Sequence, residues 1–191
     1  MDWIMLVRKI IAYIVLFVLP LLFIFYGVFS GFFGVEFSTE VLHYLGRLSI
    51  FLLTLMLLSK YLSRIPFLSF IQNYKKEIGI SSFLFAFLHI LLYIVGISPS
   101  EVLLEIFKRR YILLGFLLFA LMLCMFIFSF CNKSLFFKCA SLILPFSLLG
   151  SLHYLFSSKV VYINAMVIFF IILILLCVDI LESKKIKKVE K

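Results

Sequence analysis

The sequence predicts an all-α membrane protein of six transmembrane helices. Of its 191 residues, 65% are hydrophobic and only 14% are charged, and the mean hydropathy is +1.26. A soluble domain carries roughly 45–50% apolar and about 25% charged residues, because a small globule needs polar side chains to cover its surface. Apolar stretches long enough to cross a hydrocarbon core of about 30 Å then recur six times along the chain.

The first stretch, residues 10–30, follows Arg8 and Lys9. It is long for a signal-peptide core and no A-x-A-like cleavage site follows, so it is expected to be a retained transmembrane helix. The second (42–62) opens after the polar run Glu36 to Glu40, and the third (78–96) after Ser63 to Glu77. The fourth (111–130) follows Ser98 to Arg110, where Glu101 to Arg110 mixes apolar and charged residues like a short interfacial helix. Cys131 to Ser134 precedes the fifth (137–157), and Ser157 to Lys159 the sixth (160–180). The expected organisation is a short N-terminus (1–9), one six-helix domain (10–181) and a basic tail (182–191), with no room for a soluble catalytic domain. Cys124, Cys131, Cys139 and Cys177 form no C-x-x-C pair and read as small packing residues.

A net charge of +9 could point to nucleic acid, but the basic residues lie in short clusters between the apolar runs. Counted on alternating sides, one side holds thirteen: Arg8, Lys9, Lys60, Arg64, Lys75, Lys76, Lys133, Lys138 and the tail residues Lys184, Lys185, Lys187, Lys188 and Lys191. The other holds five: Arg47, Lys108, Arg109, Arg110 and Lys159. The positive-inside rule then predicts that both termini are cytoplasmic and that no nucleic acid is bound.

This topology places the three histidines of the chain in the outer half of the bilayer. His43 lies at the outer end of helix 2 and His153 near the outer end of helix 5. His89 is eleven residues past Ile78, or about 16 Å along an ascending helix 3. An ionisable side chain inside a transmembrane helix is costly and normally faces a partner. Taken singly, each histidine could simply hydrogen-bond to a Ser or Tyr of another helix, with Ser151 and Tyr154 close to His153 in sequence. Taken together, His89 and His153, on different helices at nearly one depth, suit axial ligation of one haem iron by neutral imidazole. Zinc is a poorer candidate, since no Cys, Asp or Glu stands at that level to complete a tetrahedron.

Arg47 follows His43 by four residues, on the same helix face. It could snorkel to the outer interface or meet a haem propionate, and Arg109 and Arg110 are candidates for the same contact. The chain has no phosphate loop, nucleophile elbow or dinucleotide fingerprint. It also offers no intramembrane acid of the kind used in proton relays, Asp179 lying close to the cytoplasmic end.

Four segments carry a resemblance: HYLGR (His43 to Arg47), YKKEIGISSFLFAFLHILLY (Tyr74 to Tyr93), KRRYILLG (Lys108 to Gly115) and LHYLFSSK (Leu152 to Lys159). In order and spacing, over roughly residues 35–160, they resemble the MsrQ (YedZ) family of the ferric-reductase-like transmembrane superfamily. These are haem-binding membrane subunits of a periplasmic methionine sulfoxide reductase system. The resemblance implies a six-helix b-type cytochrome of the bacterial inner membrane. It would pass electrons from quinol or cytosolic reduced flavin to a periplasmic molybdopterin-dependent reductase that repairs oxidised methionine. It also implies His89 and His153 as haem ligands, His43 as the counterpart of a second-helix histidine, and FMN or quinone as further candidate cofactors. The family usually has another histidine where this chain has Ala140, so the resemblance supports one haem rather than two.

The expected function is thus an electron-transfer subunit, not a self-contained enzyme, with haem b as its cofactor. A ferric-reductase-like protein with another acceptor is the alternative within redox chemistry. A non-redox membrane protein whose histidines only hydrogen-bond is the alternative outside it.

Overall fold

The computed structural model describes residues 3–96, 99–157 and 162–189, and every regular element among them is helical. In chain order these are α1 (Trp3–Tyr13), a π-turn (Ile14–Val18), α2 (Leu19–Phe29), α3 (Phe37–Leu62), a 3-10 segment (Pro66–Tyr74) and α4 (Lys75–Gly96). α5 (Pro99–Lys108), α6 (Arg110–Cys131), α7 (Lys133–Phe156) and α8 (Ile163–Val189) follow. Six stretches are long and apolar enough to cross a membrane: Met5–Phe29, Phe37–Leu62, Pro66–Gly96, Arg110–Cys131, Lys133–Phe156 and Ile163–Glu182. Each coincides with one of the six expected spans, and the chain is an all-α, multi-pass membrane protein. Lys159 and Lys191 lie outside the described residues, as do the side chains of the other tail lysines.

The helix ends have local causes. Pro20 lacks an N–H and its ring crowds the preceding turn. The chain answers by widening just before it, where the Leu19 N–H donates five residues back to the Ile14 carbonyl. Between α2 and α3, Gly31 and Gly34 adopt φ of +72° and +70°, a left-handed conformation that costs a glycine nothing. α3 then begins at Phe37, earlier than expected, so Glu40 falls in its first turn, where the helix dipole favours a carboxylate. Asn132 alone separates α6 from α7, its side chain accepting from the Leu135 N–H at 3.1 Å as an N-cap. The short helix expected over Glu101 to Arg110 is present as α5, which ends at Lys108, and Arg110 opens α6.

The chain divides into two compact units, Met1–Leu103 and Leu104–Lys191. In the first, α3 packs along α4, and α1 with the π-turn lies against α4. Ile24, Leu45, Leu52, Ile78 and Phe85 form its core, with the Phe85 ring fully buried and 5.0 Å from that of Phe17. Ser49 and Ser82 join α3 to α4 reciprocally, each hydroxyl donating to the other residue's carbonyl, at 3.0 and 2.8 Å. Hydroxyls so satisfied let two backbones approach without leaving a polar group bare in lipid. In the second unit α6 packs on α7 and α7 on α8. Gly150 gives up its side chain to Leu118, which fills that space, and Ser147 and Ser151 are fully buried beside it.

One acid lies where the sequence reading expected none. Glu77, assigned above to a polar connection, is the third residue of α4 and only 3% exposed. Its Oε2 has no hydrogen-bond partner among the described residues, nor has the fully buried Ser81 hydroxyl one turn on. Hydropathy could not reveal this, because α4 continues backwards into the 3-10 segment and carries the polar start of the helix into the packed interior.

Candidate functional site

Within the first unit, His89 of α4 is half-buried against α3. Its Nδ1 lies 2.8 Å from the carbonyl oxygen of Leu42. A carbonyl only accepts, so Nδ1 carries the proton and, in the neutral ring, the lone pair is on Nε2. Ring and helix are in close contact at Gly46, one turn after Leu42. A Cβ at Gly46 would stand 3.2 Å from both Cε1 and Nδ1 of His89.

The second unit repeats this arrangement. His153 of α7 is half-buried against α6, and its Nδ1 donates to the Tyr111 carbonyl at 2.7 Å. One turn after Tyr111 comes Gly115, where a Cβ would stand 3.0 Å from Cγ and Nδ1 of His153. The Tyr111 ring lies beside the imidazole, with centroids 5.9 Å apart and planes inclined by 31°. Both histidines therefore make the interhelical hydrogen bond foreseen from sequence. The acceptor of these bonds is a backbone carbonyl, of Leu42 for His89 and of Tyr111 for His153.

The other expected residues fall on the same elements. His43 is half-buried on α3, directly after Leu42. Arg47 is half-buried one turn further, next to Gly46, with its guanidinium carbon 5.7 Å from the Tyr44 ring centroid. The Nε of Arg47 is buried and has no hydrogen-bond partner among the described residues. In the second unit Arg110 is exposed at the first position of α6, next to Tyr111. Arg109 pairs with Glu105 at 2.7 Å, largely in the open. Ala140 lies on α7, thirteen residues before His153, and brings no ligand atom. Among the described residues no three His, Cys, Asp or Glu side chains gather where they could hold a metal ion.

These residues fit a haem on two counts. Imidazole with its proton on Nδ1 carries its lone pair on Nε2, the atom that binds iron, and a carbonyl partner at Nδ1 is the usual outer support of a metal-ligating histidine. A buried guanidinium nitrogen without a partner suits a propionate. The sequence singles out the histidines and the arginine as candidates but not the carbonyls and glycines packed against the imidazoles. The signal that could have found them is a glycine four residues after a helix position, Leu42 to Gly46 and Tyr111 to Gly115, in the helix preceding each histidine.

No curated protein and no solved structure matches the chain at a significant level. Residues 45–149 match the family described as ferric reductase like transmembrane component. The match takes in more than half of the 191 residues, from within α3 through most of α7. It contains Gly46, Arg47, His89, Tyr111 and Gly115, and ends four residues before His153. With six membrane-spanning helices and this match, the chain belongs to the ferric-reductase-like transmembrane family, whose membership points to electron transfer across a membrane.

Proposed function

We propose that the chain is a b-type cytochrome of the bacterial inner membrane, with His89 and His153 as the axial ligands of one haem b. Its electrons come from quinol or cytosolic reduced flavin and leave for a periplasmic methionine sulfoxide reductase. The observation that carries the reading is the pair of Nδ1 contacts to the Leu42 and Tyr111 carbonyls. They put the ligating lone pair of both imidazoles on Nε2 and raise the basicity of each ring. The family match supports redox use over a purely structural role for the histidines.

A bound haem supplies a one-electron carrier in a lipid layer that a free electron cannot cross. The protein's own residues bind and orient it. The two carbonyls hold the imidazoles to one tautomer, Arg47 balances a propionate, and His43, on the same turn of α3, tunes the site from beside it. The resemblance of the four segments supports methionine sulfoxide reductase as the acceptor. The family description equally suits ferric chelates, which a reduced-protein assay with both acceptors separates.

Stoichiometry tests the reading directly. Alanine at position 140, in the first half of α7, offers no ligand atom about 20 Å from His153, so one haem per chain is expected. A pyridine haemochrome assay against protein concentration measures it. A ratio near zero sinks the cytochrome reading, and a ratio of two means that His43 or Cys139 ligates a second haem. The charge bias also sets a topology. Reporter fusions should place residues 31–36 in the periplasm and the C-terminus in the cytoplasm, and a periplasmic C-terminus would contradict it.

A further inference from the structure

We infer that Gly46 and Gly115 are positioning residues for the two histidines. Each gives up its side chain so that the imidazole of the following long helix can lie on the helix backbone and reach the carbonyl one turn earlier. The consequences for haem rest on the cytochrome reading; the placement of the imidazoles does not.

Residues four apart lie one above the other on a helix face, so a group that reaches the carbonyl of residue i passes over residue i+4. A carbonyl has two lone pairs, and a regular helix uses one for the N–H of residue i+4, here the glycine itself. The second is left for Nδ1–H. An imidazole aimed at that lone pair must lie flat against position i+4, and any Cβ there would intrude. The distances bear this out. Virtual Cβ atoms at Gly46 and Gly115 would lie 3.2 and 3.0 Å from ring atoms, inside the ~3.5–4.0 Å of comfortable carbon contact.

The device occurs once in each unit, in segments that share little else (LHYLG and YILLG). The other helical glycines face no histidine. Gly27 meets the Phe33 ring, Gly79 the Met56 side chain and Gly150 that of Leu118, while Gly96 meets nothing within 4 Å. Met56 and Leu118 end in flexible carbon and sulfur groups that can swing aside. An imidazole tied to a carbonyl at 2.7 or 2.8 Å moves only by stretching that bond.

The test compares Gly46→Ala and Gly115→Ala with two controls: Gly79→Ala, which alters the same α3–α4 pair ten residues before His89, and Gly96→Ala. The first readout is the imidazole nitrogen chemical shifts of haem-free, isotopically labelled protein in lipid nanodiscs. In the unaltered protein His89 and His153 should both show the Nδ1–H tautomer. Gly46→Ala should shift the nitrogens of His89 alone and Gly115→Ala those of His153 alone, with the two controls unchanged. The second readout is haem titration of full-length protein. Gly46→Val and Gly115→Val should each weaken haem on the order of 10–100-fold, as loss of an outer support does. If a valine variant does not fold, the alanine pair and the nitrogen shifts decide.

Nitrogen shifts and haem affinity in Gly46→Ala and Gly115→Ala no different from those of the controls would overturn the inference. So would an Nε2–H tautomer at either histidine of the unaltered protein. If the unaltered protein takes no haem, the cytochrome reading fails alone, and the nitrogen shifts still decide the role of the glycines.

Discussion

Replacing His153 with alanine should abolish the low-spin b-type spectrum of the reduced protein, and His89→Ala should do the same independently. In the proposed cytochrome each variant would lack one of two ligand nitrogens, and a haem with a single imidazole loses the six-coordinate, low-spin state. The loss should far exceed that of any change behind the ligands. A carbonyl or a neighbouring arginine only orients and tunes, typically by 10–100-fold in affinity, whereas a missing ligand atom changes the coordination itself. His43→Ala and Arg47→Ala should therefore keep the low-spin bands while lowering haem occupancy or moving the potential. Reduced-minus-oxidised difference spectra of purified variants are the measurement. Low-spin bands of full height in both His89→Ala and His153→Ala would remove these residues as ligands. Loss in His43→Ala together with retention in one of them would move the site to α3.

The largest effect on stability is expected from Phe85→Ala. The ring is fully buried in the first unit, where it meets Phe17 and completes the core with Ile24, Leu45, Leu52 and Ile78. In water-soluble cores Phe→Ala costs ~3–5 kcal/mol. In a bilayer the exposed reference is lipid, as apolar as the core, so the transfer part largely disappears and lost dispersion contacts around the cavity dominate. A cost of about 2–3 kcal/mol follows. The matched control is Phe87→Ala two residues along α4, where the side chain is 45% exposed and lipid fills any space left. Reversible unfolding in mixed micelles compares the two. If Phe87→Ala proves as costly as Phe85→Ala, packing within the first unit is not what holds it together.

Much of this architecture is legible in the one-dimensional pattern because a membrane simplifies the problem. Lipid requires every backbone polar group to be satisfied within the chain, and helices achieve this locally. The apolar runs therefore became the six long helices, and most of the mixed stretch Glu101 to Arg110 became α5. The candidate ligands were legible for a related reason. A histidine is rare enough inside an apolar run that three in one chain draw attention, and neutral imidazole is a natural ligand for iron.

What the sequence could not settle depends on which residues face one another. Within lipid, hydropathy is nearly uniform around each helix, so a periodic pattern does not mark the packed face as it does in a soluble bundle. Glu77 reads as a loop residue by its charge and is buried by the course of α4. The boundary at Pro20 is decided by where an N–H is missing, yet only the folded backbone shows that a π-turn absorbs it. Leu42, Tyr111, Gly46 and Gly115 carry no signature of their own, since one pair contributes a carbonyl that every residue has and the other an absent side chain. Composition and rarity, properties of the chain, fixed the fold class and the histidines. Tertiary contact alone decided how each imidazole is held, because a hydrogen bond to a backbone oxygen depends on the separation of two helices and not on the identity of the residue that bears it.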